Sequence, residues 1–486
     1  MKESKHKTLP VWKSLYLMAF LLLLNACSIG NNADSSSSSS KTVGISIGTQ
    51  DQAINTAVGG ATVREKKLLK KHLPKDGKYE NVQYEIKWSS HTSGSTITNK
   101  MLSGQIDIGL MGDFPTVINL LKFRQKNEQT DSIYIGTLAY SENGAGNAIV
   151  VPKDSEVTSI EQLQDKTISV PFGSAAHGML LRALKDAGLD PEKHVNLIFK
   201  QSQVGGTSLR AGQVDAHADF VPFGELFVYR EFAKKIFDGA QTGVPTLHGI
   251  VVRSDFAKKY PEIVIGYLEA VMEANELYRQ KPAKISANIE GWTGINKEVV
   301  YMFLGESGLQ QLNPTIRQTQ ITALKKSIET LKGLDKIKQE VDPDRVENWI
   351  DKTYLEKAMD NMGTSRSEII KTANNYKISG KDILTGKVID SPKMAAQLWI
   401  KGENKVMRFA SVSNMLNSLN ALEEEEKVAS AIFVHDRKKG WKLLADNAYY
   451  VNNGGKISAF LLKSDAEEFA ESKNSEVVDF QALQSR

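Results

Sequence analysis

Residues 172–184 combine the types and spacing that most readily do chemistry in this chain. Gly173 permits a tight strand-to-helix turn, and Ser174 is a natural N-cap. Ala175 and Ala176 are small enough for another molecule to approach the free N–H groups of a first helical turn. Those groups carry partial positive charge and attract an oxyanion. A plain capped helix, in which small residues only ease packing, fits the same spacing equally well. His177 falls at about the third helical position, where the dipole depresses protonation. A neutral ring there can donate one hydrogen bond to a ligand or to the protein.

Two further helix starts share this build, Ser93-Gly94 and Gly112-Asp113. As a cap, Asp113 occupies the positive helix end and repels an anion; it can instead hold a substrate amine. Gln50 follows the first apolar strand, and Phe220 closes the segment 214–220, where it supplies a cleft wall or a core ring. In a two-lobed α/β protein such strand-end loops converge on the cleft where ligands bind.

Two familiar catalytic templates are absent. The sequence holds no G-x-x-x-x-G-K-S/T loop and no H-E-x-x-H. A single cysteine excludes intramolecular disulfides and cysteine-cluster metal sites. Met394, Met407 and Met415 are soft donors in principle, but core packing is the simpler use for each. The expectation is a binding protein, not an enzyme, with no cofactor. Of 61 basic and 57 acidic residues, the first 26 positions hold four lysines and one glutamate, leaving 57 against 56. That balance gives no support to a nucleic-acid partner, and a monomer is expected.

Positioning these residues requires a sheet with helices. From residue 43 short apolar segments alternate with amphipathic helices, which implies a mainly parallel α/β sheet. The pattern restarts near residue 147. The expected body spans 42–363, with lobe 1 at about 42–140 and 245–363 and lobe 2 at about 141–244. Residues 364–392 read as a linker, and 393–486 as a separate α+β domain.

The amino terminus has its own character. Lys2, Lys5, Lys7 and Lys13 precede an apolar run over 15–24, too short to cross a bilayer. Residues 1–27 read as an export signal that ends on Cys27, and 28–41, with six consecutive serines, as a flexible tether. The run Leu24-Asn25-Ala26-Cys27 resembles the bacterial lipobox, which implies lipidation of Cys27 and a membrane anchor on the exported side.

SGQIDIGLMGDFP (103–115), the stretch 151–189 and AGQVDA (211–216) resemble the aliphatic sulfonate, taurine and nitrate type of solute-binding protein. The resemblance implies a two-lobed type II periplasmic-binding fold, a small oxyanion held between the lobes, and delivery to an ABC permease. Its ligand loops map onto Ser93, Gly94, Gly112, Asp113 and Ser174–His177, with Gln50 and Phe220 as further candidates. A thiamine pyrimidine precursor is the alternative ligand, because that family shares the fold. MAAQLWIKGENKVMRFASVSNML (394–416), WKLLADNAYYV (441–451) and AFLLKSDAEEFA (459–470) resemble the accessory lipoproteins of nitrous oxide reductase, the NosL family. A copper-linked accessory lipoprotein is therefore a rival. The cysteines and methionine expected of that family's copper site are missing near Asp382–Lys387, so the resemblance carries no metal over.

Overall fold

The computed structural model describes residues 41–126, 131–333, 343–374, 378 and 380–484. Cys27, the signal-like segment and nearly all of the serine tether lie outside them.

Ten strands alternate with helices as far as residue 253. They are β1 (Thr42–Thr49), β2 (Gln83–Ser90), β3 (Ile108–Gly112), β4 (Ser132–Ser141), β5 (Ala148–Pro152), β6 (Thr167–Val170), β7 (Asn196–Phe199), β8 (Ala216–Asp219), β9 (Ala233–Asp238) and β10 (Thr246–Arg253). One sheet has the order β2-β1-β3-β10-β4, the other β7-β6-β8-β5-β9. Each has a parallel part, β1 with β2 and β3, and β6 with β7 and β8. Each also has a strand inserted antiparallel: β10 between β3 and β4, β5 between β8 and β9. This is a two-lobed α/β fold. The chain enters lobe 2 after β4 and returns through β10, as the apolar run over 247–253 suggested.

The sequence placed most of these elements. Alternation over residues 82–88 appears as β2, whose side chains alternate between exposed and half-buried. One strand escaped. Residues 223–232 read as a single helix, but the helix stops at Tyr229 and β9 follows. Ala-Lys-Lys-Ile-Phe-Asp breaks the apolar pattern because β9 is an edge strand, where charged side chains are the norm. Beyond β10 the chain is largely helical, with Pro261–Gln280, Pro282–Thr293, Lys297–Leu304 and Gln318–Lys332. Two of these helices begin on proline, whose missing N–H costs nothing in a first turn.

The tail builds two antiparallel sheets. One orders β11 (Ala396–Ile400), β12 (Val406–Phe409), β13 (Ala429–His435) and β14 (Lys442–Leu444) as β12-β11-β13-β14. The other orders β15 (Tyr449–Asn453), β16 (Lys456–Phe460) and β17 (Val477–Val478) as β16-β15-β17. Residues 364–392 hold more structure than a linker requires: the helix Arg366–Asn374 and a bridge between Lys381 and Val388.

Thr42–Arg486 form one compact unit, so the tail is docked on the body. Tyr301 meets Trp399 edge-on at 5.4 Å and Phe433 at 5.6 Å between ring centroids. Arg408 grips Glu306 with Nε and Nη2 at 3.0 and 2.9 Å. Aromatic pairs of this kind contribute about 0.5–1.5 kcal/mol beyond area burial, and a two-pronged guanidinium–carboxylate pair fixes orientation as well. Met415 is fully buried in the shared core. Among the described residues no group of three histidine, cysteine or acidic side chains could hold a metal, and no helix is long and apolar enough to cross a membrane.

Candidate functional site

The carboxyl ends of the parallel strands point into the space between the lobes, and two corners form there. The first is a cavity of about 70 Å³, room for a few water molecules or the head of a small anion. Lobe 1 lines it with Gln50, Gln52 and Ala53 after β1, and His91 and Thr92 after β2. Lobe 2 supplies Gln201–Val204 after β7, and Phe220 and Phe223 after β8. Gln50 is 5% exposed, and its Oε1 has no hydrogen-bond partner. Amide oxygen and nitrogen exchange places by rotation of the group, so Gln50 can present either an acceptor or a donor.

The helix Ser202–Arg210 aims its first turn at this cavity. Its N-cap, Gln201, makes no capping bond, and the N–H groups of Ser202, Gln203 and Val204 have no partner among the described residues. A buried relay holds that end in place. Ser202 Oγ donates to Asp219 Oδ1 at 2.9 Å, and the Phe220 N–H donates to the same oxygen at 2.8 Å. Asp219 Oδ2 lies 2.8 Å from His217 Nε2, and His217 Nδ1 lies 2.8 Å from Ser169 Oγ. Burial pushes the Asp219 carboxyl above its ordinary range. Serine, histidine and aspartate here resemble a nucleophilic triad in composition only, since Ser169, His217 and Asp219 are all fully buried. The relay positions the helix. Gly205 makes that possible, because a Cβ on it would lie 2.1 Å from His217 Cε1.

The second corner gathers most of the residues singled out in the sequence. Ser174 caps as expected, its Oγ accepting from the His177 N–H at 3.2 Å. The N–H groups of Ala175 and Ala176 have no partner among the described residues. Gly112 arrives from lobe 1, and a Cβ built on it would meet Ala175 Cβ and His248 Cε1, each at 3.7 Å. The two lobes touch here, and the corner is partly filled. Ala176 is fully buried, Phe114 stands edge-on to His177 at 6.2 Å, and Phe172 lies 5.0 Å from that ring. The His177 ring is therefore half-buried among aromatics, and its Nδ1 accepts from the Gly173 N–H at 3.2 Å. Asp113 binds its neighbour's N–H, Phe114 N to Oδ1, at 2.9 Å. Burial pushes this carboxyl up to about 6 against the opposing pull of Arg182. Arg182 comes from the lobe 2 helix Ala175–Asp186, so the charge pair spans the cleft.

Gln50 and Phe220 thus line the cavity, while Gly112, Asp113 and Ser174–His177 meet at the other corner. Ser93 caps no N–H; its Oγ pairs with Ser95 and Thr96. Gly94 packs against Pro115, which leaves no room there for a side chain or a ligand atom. The cavity residues Gln52, His91, Thr92 and Gln201–Val204 went unnoticed in the sequence. The available signal was Gln201-Ser202 ahead of Gly205-Gly206: a polar helix start followed by residues that permit close approach.

The NMT1-like family model matches residues 52–290. The taurine-binding periplasmic protein of Escherichia coli K12 is 30% identical over 200 residues, which are 40% of this chain and 58% of that one. The chain thus spans little more than half the length of that relative. Among solved structures, the alkanesulfonate-binding protein SsuA of Xanthomonas axonopodis pv. citri, bound to MOPS, is 20% identical with a TM-score of 0.51. That match covers 63% of this chain and 98% of SsuA. The periplasmic nitrate-binding protein NrtA of Synechocystis PCC 6803 is 13% identical, covering 70% of this chain and 93% of its own, with a TM-score of 0.51. The shared fold is the two-lobed one described above. The names of these three relatives describe proteins that bind taurine, alkanesulfonates or nitrate.

Proposed function

We propose that this protein is the substrate-binding component of an ABC importer and closes its two lobes on a small oxyanion of the sulfonate, taurine or nitrate class. The observation that carries the reading is the interlobe cavity. It joins an uncapped helix end in lobe 2 to an unpartnered, buried Gln50 in lobe 1. A guest there contacts both lobes, which is how a ligand stabilises a closed hinge. Ser174–His177 and Gly112-Asp113 form the other wall of the binding region, and Ser93-Gly94 supports it from behind. The chain is exported, anchored through a lipid on Cys27, and hands its ligand to a membrane permease. Mass analysis of the amino-terminal peptide tests the anchor, since an unmodified Cys27 would contradict it. The tail keeps a NosL-like fold without copper.

The test is calorimetry of the full chain against taurine, ethanesulfonate, nitrate and an aminopyrimidine. One-site binding of an oxyanion is the expected result; binding of the aminopyrimidine alone would overturn the reading. The pH dependence has a definite sign. Asp113 is ionised above about 6 and repels an anion, whereas below that value it is protonated and neutral. Affinity should therefore rise as pH falls through about 6, and Asp113→Asn should flatten the profile.

A further inference from the structure

His248 lies on β10, a strand that the functional reading above leaves unused. We infer that it is a specificity-determining residue of the binding region, giving its ring N–H to an oxyanion oxygen at the Gly112–Ala175 corner. The inference rests on the solute-binding reading.

Three observations converge on it. His248 is 5% exposed, yet its Nε2 has no hydrogen-bond partner. Leaving a buried polar atom unpaired forfeits its hydration without a compensating hydrogen bond, and native proteins keep few of them. The ring also borders the place where the lobes meet: a Cβ on Gly112 would lie 3.7 Å from its Cε1, from Ala175 Cβ and from Pro115 Cδ. The third observation is the pair of unpartnered amides at Ala175 and Ala176, at the head of a twelve-residue helix. Strand pairing fixes the ring's position, because His248 is in register with Gly112 on one side and Ala139 on the other.

The charge state suits the task. Burial lowers the imidazole's proton affinity to a pKa of about 3, so the ring is neutral near pH 7 and holds one N–H. It offers a donor without a full positive charge. Asp113, beside Gly112, feels the Arg182 guanidinium across the cleft, which offsets part of the repulsion that its carboxylate exerts on an anion. Such a site suits a weakly basic, singly charged oxyanion such as a sulfonate, whose dispersed charge is met by several neutral donors. A doubly charged phosphate fits it poorly.

The experiment is titration of the full chain with ethanesulfonate, alongside His248→Phe and His248→Asn. Phenylalanine keeps the ring volume and loses the donor, and about a tenfold or greater loss of affinity is expected. Asparagine retains an N–H and should recover part of it. Nitrogen NMR of the wild-type imidazole supplies a readout that packing alone would not move: the ring nitrogen resonance should shift at saturation. If wild type binds while His248→Phe binds equally well, or if the resonance stays fixed, the inference about His248 fails and the wider reading survives. If His248→Phe does not fold, the asparagine variant and the resonance decide. Absence of any oxyanion binding by wild type would instead remove the solute-binding reading and this inference with it.

Discussion

Gly205→Val should destabilise the protein by about 3 kcal/mol or more, at the upper end of the range for overpacking. The first added carbon would lie 2.1 Å from His217 Cε1 and 2.5 Å from Nδ1. That ring cannot step aside cheaply, because Ser169 and Asp219 hold its two nitrogens. Any movement that relieves the clash pulls Asp219 away from Ser202 and unseats the helix end facing the cavity. Stability and ligand affinity should therefore fall together. Gly44→Ala is the control, because nothing lies within 4 Å of the added atom, and its effect should stay within about 0.5 kcal/mol. Urea unfolding measures both; equal midpoints for Gly205→Val and wild type would refute the packing argument.

Glu225→Leu is the second large effect. Lys235 is buried between Glu225 and Asp238, and Glu225 also accepts from the Asn447 side chain of the tail. Those two carboxylates hold the Lys235 ammonium above its ordinary range despite its burial. Removing Glu225 leaves a buried cation with one partner and cuts a tie between lobe 2 and the tail. Breaking a buried pair costs roughly 3–5 kcal/mol, and the lower figure applies here because Asp238 remains. Hydrogen exchange should also quicken around residues 445–451. A loss below about 1 kcal/mol, with unchanged exchange, would show that the triad matters little.

The limits of sequence reading follow from what each feature depends on. Local signals were legible. Ser174 before a run of small residues gives a capped helix, alternation around Tyr84 gives a strand, and the apolar segment at Leu247 returns the chain to lobe 1. Features created by packing were not. His248 looks like any strand residue until β10 is seen between β3 and β4. Gln201 becomes a site residue only because Gly205 lets its helix lie against His217. The tail read as a separate body since nothing local at Tyr301, Glu306 or Arg408 reveals that they meet across about a hundred residues of chain. Ser174–His177 illustrates both sides: the cap was readable, but the crowding by Phe114 and Phe172 arises from long-range contacts.

The most direct test of the central claim is a crystal of the full chain soaked in perrhenate, a singly charged, weakly basic oxyanion whose rhenium gives a strong anomalous signal. A peak is expected between the lobes, in reach of Gln50 and the Ser202–Val204 amides or of Ala175 and His248. Perrhenate found only on the outer surface, with the interlobe space empty while the crystals bind the ion, would contradict the proposed function.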